Sequence, residues 1–280
     1  MKVTILGGSG FIGRHLCAAL RARGDAVTAA SLRDPDAAAH ACEDADAVVN
    51  LAGEKVAQRW TKRTKERIRA SRVDEPRALI ARLRTSASPP KAYISASAIG
   101  YYGTSEEATF VESSQAGDDF LAGVCVEWER EAAQASAFGA RVACVRTGLA
   151  LGTDGGVLAS LLPIFRRGAG GIVASGRQWM SWAHVDDVVG IYLATLDGRE
   201  GVFNASAPHP VRNAEFTQKL AQRLNRPAVL PVPTIALQLL LGEGAEMAAK
   251  GQRVLPERTL ASGYAFKFAT LDEALADLLR

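Results

Sequence analysis

Lys2-Val3-Thr4-Ile5-Leu6-Gly7-Gly8-Ser9-Gly10-Phe11-Ile12-Gly13 opens on a short apolar run, turns through three glycines in four residues and enters helix formers that continue to Arg23. Glycine there serves a tight turn at a strand end, an approach of bare backbone to a pyrophosphate, and close packing of helix on strand. The helix N-terminus adds free N–H groups and the positive end of its dipole. Strand, glycine turn and helix in this order predict a dinucleotide site on a Rossmann-type unit, with Gly7, Ser9, Gly10, Phe11, Ile12 and Gly13 at the cofactor.

Outward from this turn, short β-branched runs at 26–30, 47–51, 92–96, 141–146 and 201–205 alternate with helical stretches at 61–84, 120–138 and 187–196. That alternation predicts an α/β protein with a doubly wound parallel sheet. After Pro208 and Pro210 the pattern changes: a helical stretch from Asn213 to Leu224, prolines at 227, 231 and 233, an apolar run from Ile235 to Leu241 and an amphipathic end at 271–279. The division expected is a cofactor domain over residues 1–206 and a small C-terminal lobe over 207–280.

Apolar residues at 48% against 22% charged set disorder aside, and a net charge of +3 gives no field that would announce nucleic acid or a membrane. Cys17, Cys42, Cys125 and Cys144 have neither disulfide nor zinc spacing, so no metal is expected and the thiols are read as reduced. The first apolar run is too short for a signal peptide, and no run reaches the roughly 20 apolar residues of a membrane span. The compartment expected is the cytoplasm.

The end of the second strand decides cofactor preference. NAD sites place an acid there for the ribose 2′-hydroxyl. Here Ala30 is followed by Ser31-Leu32-Arg33, and Arg33 with Ser31 would suit a 2′-phosphate, so NADP is expected over NAD. Asp34 stands as the competing reading, one residue from the place an acid would occupy, and a merely solvated Arg33 stands as the plainer one.

Further stretches resemble the extended short-chain dehydrogenase/reductases: Asp46-Ala-Val-Val-Asn-Leu-Ala-Gly53, Ser95-Ala-Ser-Ala-Ile-Gly-Tyr-Tyr-Gly103, Arg146-Thr-Gly-Leu-Ala-Leu-Gly152 and His184-Val-Asp-Asp187. Trp60-Thr61, Ser71-Arg72-Val73, the run from Ser175 to His184 and Gly251-Gln-Arg-Val-Leu-Pro256 resemble an atypical, NADP-binding, epimerase-like branch with its own C-terminal domain. The resemblance implies Leu51, Ala52, Gly53 and Arg72 at the dinucleotide and Ser97 on the catalytic side. It also exposes a departure. The family's Tyr-x-x-x-Lys, in which lysine lowers the tyrosine pKa for proton exchange, falls on Leu121 and Cys125 when Glu129 is aligned with the acid that follows that motif.

Ser97, Tyr101 and Tyr102 lie just past a central strand, where open α/β sheets bind ligands, and are the catalytic candidates. Loop aromatics covering apolar surface are the structural alternative for the tyrosines, and Cys125 is read as structural. Arg177, Ser181 and His184 are expected at a small-molecule substrate, with a hydrogen-bonded structural histidine as the other reading of His184. The basic run Lys62, Arg63, Lys65, Arg67, Arg69 and Arg72 reads equally as a solvated helix face. Two functions follow: an NADP(H)-dependent oxidoreductase or epimerase-like enzyme on a carbonyl or nucleotide-sugar-like substrate, or a non-catalytic NADP(H)-binding module that signals through its lobe.

Overall fold

Six parallel strands form the central sheet: β1 (Lys2–Leu6), β2 (Ala26–Ala30), β3 (Ala47–Asn50), β4 (Ala92–Ala98), β5 (Arg141–Thr147) and β6 (Gly201–Ala205), in the order 6-5-4-3-1-2. The computed structural model describes all 280 residues in backbone and every side chain except those at 236, 237, 240, 241, 247 and 248. All six strands fall where the alternating pattern places them, with ends shifted by one or two residues. The pairing register sets Leu6 level with Ala30 on one side and Asn50 on the other. Three strand ends therefore open at one height, and the chain changes direction across the sheet between β1 and β3, the switch point at which ligands bind.

Alternation along the strands feeds two cores. Val3, Ile5, Val49 and Ile94 face α1 (Phe11–Ala22), and Val188, Ile191 and Tyr192 of a later helix (Val185–Leu196) close that side. Leu6, Val48 and Tyr93 face the opposite layer, which contributes Ala38, Leu79, Ile80, Leu83 and Ala132. Both faces of the sheet are thus covered, as parallel strands require.

The stretch at 61–84 is two helices, α2 (Lys62–Ala70) and α3 (Asp74–Leu83), rather than one. Ser71 turns its hydroxyl back to the Ile68 carbonyl, and Pro76, which has no N–H to donate, stands in the first turn of the new helix. Asp34-Pro35 opens a short helix over Pro35–Ala41 that periodicity alone missed. The stretch at 120–138 is α4 (Phe120–Ala133) continued by a 3₁₀ turn, and Asp119 caps its start through the Ala122 N–H at 2.9 Å.

The C-terminal elements gather around a third core in which Leu158, Leu162, Phe165, Met180 and Trp182 pack against Phe216, Leu220, Leu271 and Leu275. Residues preceding 207 thus contribute to the lobe's interior. The backbone of the apolar run is helical over Thr234–Leu241, and its side chains at 236, 237, 240 and 241 lie outside the described residues. No helix among the described residues is long and apolar enough to cross a membrane.

Candidate functional site

The ends of β1, β2 and β3 open into a cleft of about 790 Å³, lined by Gly7 to Gly10, by Ala29 to Arg33, by Leu51 to Glu54 and by Arg67, Ala70, Ser71 and Glu75. Its size lies within the ~300–1,000 Å³ of small-molecule and cofactor sites. Gly7 takes φ +81°, and a Cβ on it would lie 2.9 Å from the Ala52 nitrogen. Gly13 is tighter still, since a Cβ there would come within 2.4 Å of the Gly7 carbonyl oxygen. Gly7 thus lets the turn approach the backbone that follows β3, and Gly13 lets α1 pack on the turn. Gly10, the N-cap of α1, brings no side chain to the first-turn N–H groups, and that turn carries no acidic residue. The helix end is therefore left polarised for an anion.

Of the residues expected at the dinucleotide, Gly7, Ser9, Gly10, Ser31, Arg33, Leu51, Ala52 and Gly53 line this cleft. Phe11, Ile12, Gly13 and Arg72 are not among the lining residues. Phe11 fills the space over Gly152, Gly155 and Gly156, and Ile12 packs on the sheet core. Arg72 backs Gly53 and donates to the carbonyls of Glu54 at 3.0 Å and Ile68 at 3.3 Å, so it shapes the loop that lines the cleft. Asp34 is consumed elsewhere: its carboxylate caps the helix at Pro35 by accepting from the N–H groups of Asp36 and Ala37, both at 3.1 Å. Arg33 is exposed at the cleft and makes no ion pair among the described residues.

Ser97, Tyr101 and Tyr102 stand around an ion pair that the sequence did not single out. Arg146 of β5 is buried and donates from Nε and Nη2 to the two oxygens of Glu129 on α4, both at 2.7 Å. Burial works against the cation, yet Glu129 outweighs it and holds the guanidinium above its usual range. Ser97 donates to Glu129 Oε1 at 2.6 Å, and the Arg146 guanidinium lies 3.3 Å from the Tyr101 ring centre.

Tyr102 is corrected from the catalytic set. Its hydroxyl is buried, donates to Asn204 Oδ1 at 2.8 Å and accepts from Arg146 Nη1 at 2.9 Å. Burial pushes the phenol up to about 12, so it holds its proton and ties the turn after β4 to β5 and β6. Cys125 is inert for the same reason, since burial raises its thiol to about 12.

The three residues expected at a substrate do not meet around it. Arg177 is exposed and pairs with Glu106 at 3.1 Å. The Ser181 hydroxyl is fully used, donating to the Gln252 carbonyl at 2.8 Å and accepting from the Val254 N–H at 2.9 Å, which fastens the C-terminal segment to the sheet domain. His184 caps its helix by accepting the Asp186 N–H on Nδ1 at 3.0 Å and stacks on Phe268. Its Nε2 lies 3.4 Å from Asp277 Oδ2, an ion-pair distance without hydrogen-bond alignment, and burial lowers its pKa. The structural reading of His184 is the one the geometry supports.

The basic run is divided: Lys62 and Arg63 are exposed, as a solvated face would be, and the others have acidic neighbours. Lys65 pairs with Glu243 at 2.6 Å and Arg69 with Glu127 and Asp74, while Arg67 turns to the cleft 3.7 Å from Glu54. Trp60 bridges to Gly242, so the lobe grips the segment beside the cleft.

A doubly wound parallel sheet with a glycine turn and an uncapped helix end over a cleft defines a dinucleotide-binding class. The chain belongs to the NAD-dependent epimerase/dehydratase family, whose sequence profile matches residues 3–206. The profile of a domain of unknown function, DUF1731, matches residues 232–278. Among relatives, the chloroplastic SDR39U1 homolog of Arabidopsis thaliana, an epimerase family protein, is 39% identical over 303 residues, covering 100% of this chain and 87% of the relative. The crystal structure of human SDR39U1 (isoform 2) with NADPH superimposes with a TM-score of 0.93 at 36% identity, covering 100% of this chain and 99% of that one. A nucleoside-diphosphate sugar epimerase from Corynebacterium glutamicum follows with a TM-score of 0.80 at 33% identity, covering 100% of this chain and 58% of that one.

Proposed function

We propose that the chain binds NADP(H) in the cleft, with the pyrophosphate on the N-terminus of α1 and the 2′-phosphate on Arg33 and Ser31. It would then act as an oxidoreductase or epimerase-type enzyme on a carbonyl or nucleotide-sugar-like substrate held between the sheet and the lobe. The observation that carries the cofactor reading is the division of labour after β2: Asp34 is spent on a helix cap while the neighbouring Arg33 faces the cleft unpaired. The NADPH in the human relative's structure supports it. Each charge-assisted contact to a phosphate is worth about 1.5–3 kcal/mol. NADPH is therefore expected to bind more tightly than NADH, and Arg33→Ala to narrow that difference by about tenfold or more. Calorimetric titration of both cofactors decides this, and equal affinities in the unaltered protein would overturn it.

The bound nicotinamide would supply hydride transfer, leaving proton exchange to the chain. With Tyr102 locked and Ser97 donating to Glu129, Tyr101 is the remaining candidate, because its hydroxyl makes no hydrogen bond among the described residues. Tyr101→Phe keeps the ring under Arg146 and is expected to retain NADPH affinity while losing roughly 100-fold in turnover, the scale of a general acid–base group. The assay follows nicotinamide absorbance over a panel of carbonyl compounds and nucleotide sugars. Unchanged turnover in that variant removes Tyr101 from the reaction.

Two observations favour the second reading, a binding module. Leu121 and the inert Cys125 occupy the places of the proton-transfer pair, and the lobe holds Trp60 and Lys65 beside the cleft. A broad panel without any turnover, in a protein that binds NADPH, would favour it.

A further inference from the structure

Two carboxylates line the cleft, and they differ in how they are satisfied. Glu54 accepts from Gln58 Nε2 at 3.0 Å and lies near Arg67. Glu75, in the first turn of α3, is half-buried and makes no hydrogen bond or ion pair among the described residues. Burial raises its pKa, and the charge of Arg33 acts against that rise, which places the two side chains within electrostatic reach of each other. A partly desolvated acceptor without a donor is costly unless a ligand supplies one.

An acid at the end of β2 is what an NAD site uses to hold the ribose 2′-hydroxyl, and here that position is Arg33 with Asp34 turned away. We propose that Glu75 supplies the missing acceptor from across the cleft, taking the 2′-hydroxyl of unphosphorylated NAD(H). The site then has two modes. With NADP(H), the 2′-phosphate engages Arg33 and is repelled by Glu75. With NAD(H), Glu75 accepts the hydroxyl while Arg33 balances its charge. Glu75 thereby restrains the preference for NADP(H) that Arg33 creates, which makes it a specificity-determining residue of the cofactor site. This inference rests on the cofactor reading proposed above.

Glu75→Ala is expected to weaken NADH by about tenfold or more, the value of a hydrogen bond to a charged group, while NADPH stays within about threefold or tightens. The NADPH/NADH affinity ratio therefore widens, opposite in sign to Arg33→Ala. Glu75→Gln, which keeps a neutral acceptor, is expected to recover part of the NADH affinity. Calorimetric titration of both cofactors against the three variants reads this. An unchanged ratio, a narrowed ratio, or an equal loss of both cofactors overturns the inference, the last because it would place Glu75 on a group the two share. Failure here leaves the Arg33→Ala result standing; failure of both cofactors to bind the unaltered protein removes the cofactor reading itself.

Discussion

Replacing Gly10 with valine is expected to weaken NADPH binding by a thousandfold or more and to leave the fold in place. The backbone at Gly10 has φ −71° and ψ 173°, which any residue adopts, and a Cβ there meets only the Gly7 carbonyl oxygen, at 3.2 Å. Gly10 lines the cleft, so the two methyl groups beyond that Cβ are expected to take space where the proposed pyrophosphate would lie. Losing two charge-assisted phosphate contacts of about 1.5–3 kcal/mol each accounts for the magnitude. Gly13→Val is the control that separates site from scaffold, because its Cβ would collide with the Gly7 carbonyl oxygen and Gly8 backbone and force α1 off the turn. Circular dichroism and thermal melting should show Gly10→Val folded like the parent and Gly13→Val destabilised. A folded Gly10→Val protein that still binds NADPH within tenfold of the parent would move the site elsewhere.

Glu129→Leu is expected to destabilise the protein by about 3–5 kcal/mol, because it strands a cation with only 4% of its side chain exposed. Arg146 would keep the Tyr102 hydroxyl and the Glu112 carbonyl as partners, neither of which carries a compensating charge. Removing both charges in Glu129→Leu with Arg146→Met should recover most of the loss, since a buried ion pair replaced by apolar side chains of similar volume is often neutral. Urea denaturation of the parent, the single and the double variant measures the three terms. A single-variant loss under about 1 kcal/mol would show that water or a shifted side chain already compensates Arg146.

The cofactor cleft was legible because every requirement acts over a few residues: a strand, a glycine turn and a helix start that are contiguous, and Arg33 one step past the second strand. What failed to read involved contacts across the fold. Ser181, His184 and Arg177 are neighbours in sequence and read as one substrate site, yet Ser181 bonds to residues 71 and 73 positions away and His184 reaches Asp277. Nothing local distinguishes a hydroxyl aimed at ligand from one aimed at a distant backbone carbonyl. The Arg146–Glu129 pair did leave a signal, an arginine ending the apolar run Val142-Ala143-Cys144-Val145, since a charge in a strand covered on both faces must find a counter-charge. Helix continuity through residues 71–73 was likewise decided by Pro76, whose missing N–H outweighed the good helix formers around it.

The cleft is lined by residues 7 to 75 of a 280-residue chain, whereas the candidate proton-exchange groups and the ion pair beside them sit on β4, the turn after it, β5 and α4. On the proposed function, coenzyme choice and reaction choice are therefore inscribed on separate stretches of polypeptide. Drift in the later stretch can try new substrates without disturbing the nucleotide grip, and an exchange of Arg33 or Glu75 can retune that grip without touching the reacting groups. For a scaffold shared by proteins that act on different molecules, this separability is a physical basis for divergence one module at a time.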